Sequence, residues 1–488
     1  MADKEGNGVN MSDAAFRTYQ RNRIIHWDDV AAKSTHVRYP VAYYHRLIAD
    51  IYYHIIPAGQ RIIEIGCGRG DLLAALNPSH GVGIDFSGEM IAQGRKRHPE
   101  LHFIETDAHR ISVDEKFDYV ILSDLVNDLW DVQTVFQQIP RFTDPHSRII
   151  INTYSRLWEV PLLLAQKLGL GRPTLFQNWL TVGDIRGLLS LSDLEMVRHW
   201  EEILWPLPTP LLARLLNRYF AKIWPFKWFA LMHFIIARPM RKDFIVDPRK
   251  VQVSVIVPAR NEAGNIQKIL QSVPEMGAGT EIVFVEGGSR DETYQAIEKG
   301  IREWPQRRCK LLQQSGTGKG DAVRLGFSHA EGDILMILDA DLTVPPESLP
   351  RFFEVLLSRK GEFVNGVRLV YPMEKEAMRL LNLAGNKFFS LAFSWLLGQP
   401  IKDTLCGTKV LWKKDYERIA ANHSYFGDFD PFGDFDLLFG AVKLNLKIRE
   451  VPVRYRDRTY GTTNIQRWRH GWLLLKMVAF ATRRIKFV

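Results

Sequence analysis

The sequence predicts an α/β protein of two consecutive domains, each built on a mostly parallel β-sheet. Apolar stretches run into glycine- or proline-marked turns at residues 61–70 and again at residues 251–262. After each of these stretches, further apolar segments alternate with helical patterns, which is typical of a doubly wound sheet. The chain of 488 residues is also too long for one ordinary core, because domains usually contain about 100–200 residues.

The domain boundaries follow from changes in composition along the chain. Residues 1–35 are polar, and we expect a flexible segment ahead of a helix that begins near Pro40. Residues 36–240 form the first predicted domain, and residues 251–488 form the second. Residues 241–250 are charged and marked by proline, so they are predicted to be a linker.

The cysteines and the amino terminus indicate the compartment. The three cysteines are far apart and in no metal-ligand spacing, which favours a reducing environment. The first residues contain no apolar segment of a secretion signal, and no run reaches the roughly 18–20 apolar residues of a spanning helix. We therefore expect a cytoplasmic protein.

The positive charge is concentrated in two stretches. Residues 443–488 contain twelve Lys and Arg residues against two acidic ones, which outweighs the net charge of +9 for the whole chain. Residues 214–250 form a second basic stretch, and both are rich in Trp, Phe and Leu. This composition suits anionic lipid or a phosphorylated ligand better than duplex nucleic acid, and no nucleic-acid-binding motif occurs. We expect a peripheral position at the inner membrane face and no nucleic-acid partner.

Residues 61–70 form a predicted strand that runs into a Gly-x-Gly-x-Gly turn and then a helix. Such a turn lets a ligand approach backbone N–H groups at a helix start, although it is also a common structural turn. A second strand ends at Asp85, about twenty residues on, where a ribose-binding acid is expected. A third strand ends at Asp107 and a fourth at Asp124.

These motifs resemble those of class I S-adenosylmethionine-dependent methyltransferases over roughly residues 40–240. A nicotinamide-binding Rossmann domain fits less well, because the glycine motif begins with an acid, which suits the aminoacyl end of S-adenosylmethionine better than a pyrophosphate. The resemblance implies a Rossmann-like methyltransferase fold with S-adenosylmethionine as cofactor. It places Glu64, Gly66 and Gly68 beside the methionine moiety, Asp85 on the ribose hydroxyls and Asp107 near the adenine amine.

The methyl acceptor cannot be named from the sequence. Asn127, Asp128 and Trp130 follow the fourth strand, where such enzymes often contact the acceptor, but loop packing explains each of them equally well. The sequence contains no Asn-Pro-Pro-Tyr signature of amide-nitrogen methylation. A cofactor-binding module without activity is the alternative for this half.

The second half is organised around an apolar run from Ile334 that ends in Asp339-Ala340-Asp341. We interpret it as a buried central strand, with both carboxylates where the strand leaves the sheet. The two carboxylates could bind Mg²⁺ or Mn²⁺ together with a diphosphate, whereas a lone Asp-x-Asp is more often a polar turn.

Two more strands and a glycine-rich turn accompany this motif. One strand is halted by Pro258 and ends at Glu262, and another ends at Glu286. The turn at residues 316–326 resembles a phosphate loop but lacks the Gly-Lys-Ser/Thr ending, so a nucleotide hydrolase is rejected. Together these elements resemble family 2 glycosyltransferases of the GT-A type over residues 251–482, and among them dolichyl- and polyprenyl-phosphate sugar synthases most.

The resemblance implies inverting transfer of a sugar from a nucleotide-diphosphate donor to a polyprenyl-phosphate acceptor. If the acceptor is a lipid phosphate, it is already ionised, and phosphate-binding arginines matter more than a general base. The resemblance assigns donor binding to Pro258, Arg260, Glu262, Glu286 and the Asp339-Ala340-Asp341 motif, metal binding to Asp339 and Asp341, phosphate contacts to Arg368 and Arg458, and the general-base position to Asp434.

Some positions depart from the family pattern and leave alternatives open. Glu286-Gly287-Gly288-Ser289 replaces Asp-Asp-Gly-Ser, so the nucleotide base is unassigned. Asn464 stands where a lysine often lies, and Thr343 where some relatives carry a further metal-side ligand. Asp434 also fits a helix N-cap. The alternative function is sugar transfer to a saccharide or small-molecule hydroxyl, with the first half as a regulatory cofactor-binding module.

Two segments combine an apolar side with basic residues. Residues 210–223 predict an amphipathic helix that either covers the sheet or faces a membrane or domain interface. Near the carboxyl end Arg469, Lys476 and Arg483 recur every seven residues beside an apolar side that includes Trp472. This segment is too short to span a bilayer, so we predict an interfacial helix, with a core-packed helix as the alternative.

Overall fold

The computed structural model divides the chain into two units, Met1–Arg241 and Lys242–Val488. It describes residues 13–33, 39–167, 175–240, 245–368, 370, 380–421, 435–458, 460 and 467–487.

The first unit is a seven-stranded sheet with helices around it. Its strands are β1 (Arg61–Ile65), β2 (His80–Asp85), β3 (His102–Glu105), β4 (Phe117–Ser123), β5 (Thr143–Tyr154), β6 (Leu194–Glu202) and β7 (Met232–Pro239). The order in the sheet is β3-β2-β1-β4-β5-β7-β6; the first five are parallel, and β7 runs antiparallel to both neighbours. The helices are α1 (Asp13–Lys33), α2 (Tyr39–Ile55), α3 (Asp71–Ala75), α4 (Gly88–Arg97), α5 (Val132–Gln138), α6 (Glu159–Lys167), α7 (Val182–Ser190) and α8 (Leu212–Arg218).

The second unit repeats this plan with a different strand order. Its strands are β8 (Gln252–Ala259), β9 (Gly279–Glu286), β10 (Arg308–Gln313), β11 (Ile334–Ile337), β12 (Phe363–Val367), β13 (Lys409–Trp412) and β14 (Ile448–Pro452). The order is β10-β9-β8-β11-β13-β12-β14, with the first four strands parallel and β13 antiparallel to its neighbours. The helices are α9 (Ile266–Ser272), α10 (Thr293–Glu303), α11 (Lys319–His329), α12 (Leu349–Leu357), α13 (Leu380–Leu397), α14 (Lys413–Ala421), α15 (Phe435–Lys443) and α16 (Arg467–Ala481).

Strand β11 lies fourth of the seven strands, so the prediction of a central strand is confirmed. All four of its residues are fully buried, because its two faces belong to different core clusters of the second unit. A strand that is covered on both faces is apolar throughout, and this explains the unbroken apolar run in the sequence.

The structure corrects the prediction for the amino-terminal segment. Residues Asp13–Lys33 form α1, whereas a flexible segment was expected over residues 1–35. The apolar residues of α1 do not recur on one side, so the sequence carries no amphipathic signal. Tertiary contacts hold the helix instead: Arg23 is buried, and its Nε donates to the carbonyl oxygen of Asp128 (2.9 Å).

The amphipathic helix predicted at residues 210–223 is shorter than expected. It consists of α8 and a 3₁₀ turn at Phe220–Lys222. Much of its apolar side is exposed, Leu211 most of all at 84 %. Lys222, which was predicted on the charged outer side, is buried and lies 3.2 Å from Glu202. The helix therefore does not cover the sheet with its apolar side.

The terminal helix α16 is partly packed in the core, as the core-packed alternative predicts, and its interfacial position stays a prediction. Leu474, Met477 and Ala481 are buried in the core of the second unit, whereas Trp472 and Lys476 are exposed. Within the described part of the chain, no helix has the length and apolar character needed to cross a membrane.

Candidate functional sites

The glycine-rich turn after β1 closes around Asp85 at the end of β2. Gly66 and Gly68 have φ angles of 74° and 54°, in the left-handed region that favours glycine. The N–H of Gly68 donates to Asp85 Oδ2 (2.8 Å), and the N–H of Ser87 donates to Asp85 Oδ1 (2.9 Å). Burial raises the pKa of Asp85 above its usual value, although these N–H groups oppose the shift.

A pocket lies at the carboxyl ends of β1 to β4. Its volume is about 420 Å³ when the space that is open to solvent is counted. Gly66, Asp85 and Asp107 line the pocket. Gly68 does not line it, but its N–H donates to Asp85, which does. Glu64 does not line it: the residue is 3 % exposed within β1, and burial raises the pKa of its carboxyl group well above the usual value. Its Oε2 atom has no hydrogen-bond partner among the described residues. The contact of Glu64 with a methionine moiety stays a prediction.

Helix α1 forms a wall of this pocket with Tyr19, Gln20 and Arg23. Gln20 Nε2 donates to Asp107 Oδ2 (2.7 Å), the carboxylate that the resemblance assigns to the adenine amine. Sequence reasoning missed this wall, because a helix without an apolar stripe gives no local sign of what it packs against.

The three candidate acceptor contacts after β4 are engaged in packing. Asn127 is buried, and its Nδ2 donates to the carbonyl oxygen of Asn178 (2.7 Å). Asp128 lies 3.5 Å from Arg23, and Trp130 packs against aromatic side chains of α1. These contacts favour the loop-packing interpretation for Asn127, whereas Asp128 also lines the pocket and Trp130 is 48 % exposed, so both interpretations stay open for these two.

Asp339 and Asp341 follow β11, and each carboxylate is paired with a cation. Lys319 Nζ, at the first residue of α11, lies 2.5 Å from Asp339 Oδ1. Burial alone would raise the pKa of Asp339, but the ammonium group of Lys319 holds it below its usual value. Arg458 Nη2 donates to Asp341 Oδ2 (2.6 Å).

Arg458 bridges two of the predicted carboxylates. Its Nη1 donates to Glu262 Oε1 (3.1 Å) while its Nη2 contacts Asp341. Glu262 follows β8, and burial raises its pKa to about 7 in spite of the nearby guanidinium group. Asn265 Nδ2 donates to the other oxygen of Glu262 (2.7 Å). The structure thus brings together three residues that the sequence analysis named separately.

The other predicted donor-binding residues have different surroundings. Pro258 lies within β8, and Arg260 is exposed just after it. Glu286 is buried at the end of β9, where one carboxylate oxygen accepts the N–H of Ser289 (2.6 Å) and stabilises the turn. Ala340 is buried in the core.

Arg368 is paired inside the second unit. Its Nε and Nη2 donate to the two carboxylate oxygens of Asp403 (2.7 and 2.8 Å), and the guanidinium lies 5.1 Å from the ring centroid of Tyr455. This bidentate pair occupies the edge of the guanidinium that would bind a phosphate. Arg458 is also paired with carboxylates, but its side chain is 28 % exposed against 11 % for Arg368, which favours Arg458 as a phosphate-binding residue.

Two residues of this site were missed from the sequence, and one predicted residue cannot be placed. Lys319 belongs to the glycine-rich turn that was rejected as a hydrolase loop, yet it pairs with Asp339. Gly407 packs so closely that a Cβ atom there would overlap both Asp339 and Lys319. Asp434, the candidate general base, lies outside the described residues, as does Asn464.

The donor atoms fit a hard divalent cation, although the side chains alone do not complete its shell. Asp339 and Asp341 offer carboxylate oxygens, the ligands that Mg²⁺ and Mn²⁺ prefer. Among the described residues, however, no group of three or more His, Cys, Asp or Glu side chains is placed to hold a metal. A cation at these two aspartates would need further oxygens from a bound diphosphate.

Both units are doubly wound α/β domains with a polar crevice at the carboxyl ends of their parallel strands, the usual ligand position in this class. A family model described as "Methyltransferase domain" matches residues 56–186, and one described as "Glycosyl transferase family 2" matches residues 254–419. The chain therefore carries a methyltransferase domain followed by a family 2 glycosyltransferase domain. Both resemblances, and the order of the two folds, are confirmed.

The chain is also similar to several known sugar transferases. It is 28 % identical over 230 residues to the dolichyl-phosphate beta-glucosyltransferase ALG5A of Trichomonas vaginalis, covering 44 % of this chain and 68 % of the relative. It is 24 % identical over 217 residues to the undecaprenyl-phosphate 4-deoxy-4-formamido-L-arabinose transferase of Salmonella paratyphi B, covering 43 % of this chain and 61 % of the relative.

Two solved structures are similar to parts of this chain. One is a Haloferax volcanii methyltransferase in complex with the activator Trm112, with 15 % identity, a TM-score of 0.34, and coverage of 44 % of this chain and 98 % of that chain. The other is glucosyl-3-phosphoglycerate synthase from Mycobacterium tuberculosis, with 18 % identity, a TM-score of 0.35, and coverage of 48 % and 80 %.

Proposed function

We propose that this chain is a bifunctional enzyme that transfers a sugar from a nucleotide-diphosphate donor to a polyprenyl-phosphate acceptor and also methylates a second substrate. The observation that carries the sugar-transfer proposal is the bridge that Arg458 makes between Glu262 and Asp341 beside the Lys319–Asp339 pair. The relatives that are named for dolichyl- and undecaprenyl-phosphate substrates support the acceptor class.

The charges of this site suit a diphosphate leaving group. Asp339 and Asp341 would hold Mg²⁺ or Mn²⁺, which stabilises the negative charge that develops on the diphosphate. Lys319 and Arg458 supply cationic N–H donors at the same place. A guanidinium binds phosphate oxygens in the same planar geometry as carboxylate oxygens, so Arg458 can exchange a carboxylate for a phosphate.

A lipid-phosphate acceptor would reduce the need for a general base. Its oxygen is already ionised at neutral pH, whereas a hydroxyl group must lose a proton as it attacks the sugar. Asp434 keeps the base position in the alternative function, transfer to a saccharide or small-molecule hydroxyl.

Exposed apolar and basic residues of the second unit support a lipid acceptor and a peripheral position at the inner membrane face. Helices α13 and α16 pack against each other. They expose large apolar side chains while other residues of both helices are buried in the core. Apolar side chains with basic neighbours suit the interface of an anionic bilayer. The exposed apolar residues are Phe388, Leu391, Trp472 and Leu475, and the exposed basic residues in the same segments are Lys387, Lys476, Arg483 and Arg484.

In the first unit, S-adenosylmethionine is the proposed cofactor, and the pocket beside Asp85 and Asp107 is its proposed site. The left-handed glycines let a ligand approach the backbone of the turn, and the two aspartates provide acceptors for hydroxyl and amine groups. We expect calorimetry to detect binding of S-adenosylhomocysteine by the full chain and Asp85→Ala to weaken it strongly. A folded protein that binds neither S-adenosylmethionine nor its product would remove the methyltransferase half of the proposal.

Donor turnover with polyprenyl phosphate in the presence of Mn²⁺ tests the other half. Asp341→Ala should abolish activity, and Asp247→Asn, at the amino end of β8, should not affect it. With a lipid-phosphate acceptor, Asp434→Asn should keep much of its rate while Arg458→Ala loses more. With a hydroxyl acceptor, the loss of the base should cost about 10²-fold or more. An inactive Asp434→Asn beside an active Arg458→Ala would therefore overturn the lipid-phosphate acceptor.

A further inference from the structure

A polar cluster at the carboxyl ends of β4 and β5 is not part of the cofactor pocket described above. Asp124 directly follows β4, and its two carboxylate oxygens accept different hydrogen bonds. Tyr44 Oη donates to Oδ2 (2.8 Å), and Asn152 Nδ2 donates to Oδ1 (2.6 Å). Tyr52 Oη in turn donates to Asn152 Oδ1 (2.7 Å). The carboxylate is thus held by a chain of donors that reaches from α2 to β5.

This cluster lies directly beside the cofactor pocket. Leu125, the next residue, lines the pocket, and its side chain is so close to Gly66 that a Cβ atom on the glycine would approach it to 2.7 Å. Asp124 itself has a φ angle of 53°, in the left-handed region that costs energy for a residue other than glycine. The fold therefore holds a carboxylate in a strained conformation at the edge of the turn assigned to the methionine moiety.

The cluster is buried on one side and accessible on the other. Asn152 and Tyr52 are fully buried, whereas Asp124 and Tyr44 are partly exposed. Two further partly exposed aromatic rings continue this accessible side. The ring of Tyr154 lies 6.4 Å from that of Tyr44, at an interplanar angle of 12°, and 6.4 Å from that of Trp179. Tyr44, Tyr154 and Trp179 thus form the partly exposed side of the cluster.

We propose that Asp124 is the general base of methyl transfer, and that the acceptor is a hydroxyl group on a ring-shaped molecule that packs against Tyr44, Tyr154 and Trp179. This inference rests on the proposed methyltransferase function, and it names the acceptor class that the sequence analysis left open. Aromatic side chains offer flat apolar faces and polar edges, which suits a phenol ring or the C–H face of a sugar.

With Asp124 as the base of methyl transfer, a hydroxyl group is the acceptor that fits best. A carboxylate acceptor would be repelled by Asp124 and would need no base, and a neutral amine attacks through its own lone pair. A hydroxyl group becomes a strong nucleophile only as it loses its proton. As the acceptor oxygen bonds to the methyl carbon, its proton passes to Asp124, and the electron pair of the broken carbon–sulfur bond stays on sulfur and neutralises the sulfonium charge.

The electrostatics of the cluster agree with this role. Burial raises the pKa of Asp124 to about 7, the hydrogen bonds from Tyr44 and Asn152 oppose the shift, and the nearby carboxylate of Asp128 adds to it. Burial also raises the pKa of Tyr154 well above its usual value, so this facing group stays neutral. A base acts best when its pKa is near the working pH. The methylation rate should therefore rise as the pH increases through about 7.

The test uses the full chain with S-adenosylmethionine and two sets of acceptors, simple catechols and nucleotide sugars, which separate the phenol from the sugar source. We expect Asp124→Asn to keep its affinity for S-adenosylhomocysteine and to lose about 10²-fold or more in methylation rate. Tyr44→Phe, which removes one donor to the carboxylate, should move the pH midpoint of the rate upward. Asp193→Asn is the matched control, because Asp193 is an exposed aspartate of the same unit with a φ angle of 52°.

Carbon-13 NMR of labelled aspartate supplies a readout besides activity. One carboxyl resonance should titrate near pH 7, be absent from Asp124→Asn, and shift when the acceptor binds. Unchanged methylation by Asp124→Asn overturns the proposal. The proposal is also overturned if the protein binds the cofactor, but neither set of acceptors is methylated and neither set shifts that resonance. Absence of cofactor binding instead overturns the methyltransferase function on which the proposal rests.

Discussion

At the scale of single residues, the aspartates of the two crevices differ in their hydrogen-bond and ion-pair partners. Asp85 accepts two backbone N–H groups, whereas Asp107 accepts Gln20 Nε2 and lies 2.6 Å from His109 Nδ1. Asp339 and Asp341 are instead paired with Lys319 and Arg458. The cations beside Asp339 and Asp341 suit an anionic diphosphate.

Gly407 provides a test of packing at the second crevice. A Cβ atom at this position would overlap the carboxylate of Asp339 and the ammonium group of Lys319, so Gly407→Ala must displace that ion pair. We expect a loss of donor turnover of at least about 10-fold, because misplaced groups at a reacting centre are costly. Gly385→Ala in α13 is the control, since nothing lies within 4 Å of its added Cβ atom. Equal turnover by the two variants would show that the close approach of Gly407 is unimportant.

Glu262 predicts a pH dependence of donor binding. Its folded pKa of about 7 means that the carboxyl group is mostly neutral at pH 6 and mostly ionised at pH 8. The ionised form repels a diphosphate and holds Arg458 more strongly, so the affinity for a nucleoside diphosphate should fall over this range. Calorimetry with UDP or GDP and Mn²⁺ measures the slope of this affinity against pH. The same measurement on Glu262→Gln corrects for titration of the nucleotide itself. Identical slopes for the two proteins would exclude Glu262 as the cause.

At the scale of elements, helix α1 was not predicted from the sequence, and helix α16 has one side that is buried and one side that is exposed. Helix α1 has no apolar stripe, but it contributes Tyr19, Gln20 and Arg23 to the pocket beside Asp85 and Asp107. Helix α16 buries one side in the core and exposes Trp472 and Lys476 on the other. A helical pattern in the sequence indicates which residues share a side. It does not indicate whether protein, lipid or water covers that side.

The exposed side of the terminal helix should bind anionic membranes. We expect the full chain to sediment with vesicles that contain phosphatidylglycerol and to be released at 1 M salt, where the Debye length falls to about 3 Å. Reversing the exposed charges of Lys476, Arg483 and Arg484 to Glu should abolish sedimentation. Reversal of Arg351, Lys360 and Lys414, which are also exposed in the second unit, is the control. If both triple variants still bind, the attraction lies elsewhere, for example at the exposed apolar residues around α8.

At the scale of the whole molecule, the chain consists of two units with separate sheets and separate cores. The core clusters of the first unit share no residues with those of the second. The boundary between the two units lies between residues 241 and 242. Each unit thus has the buried apolar surface that independent folding requires.

Calorimetric melting of the full chain should show two transitions because of this division. S-adenosylhomocysteine at about 100 times its dissociation constant adds about 2.7 kcal/mol to the stability of the unit that binds it. For a unit of this size, that corresponds to a rise in Tm of about 5–10 °C in one transition only. A nucleoside diphosphate with Mn²⁺ should raise the other transition. A single transition that both ligands shift together would contradict independent units.

Much of this architecture could be predicted from local patterns. Sequence patterns located β1, β2, β3, β4, β8, β9 and β11, and the acids that follow them had to meet at one edge, because the carboxyl ends of parallel strands point in the same direction. Asp85, Asp107, Asp339 and Asp341 were found in this way. The partners of these acids were not all found, since Gln20 and Lys319 have no motif that connects them to a carboxylate.

Pairings between distant residues were visible only once the chain had folded. Arg458 contacts Glu262 across 196 residues of sequence and Asp341 across 117. Asp403 was not foreseen as the partner of Arg368, nor was the network of Asp124, Tyr44 and Asn152. A strand or a turn is specified by the spacing of neighbouring residues. The partner of a charged side chain depends on which surfaces the packing of separate elements brings within hydrogen-bond distance, and no local pattern encodes that choice.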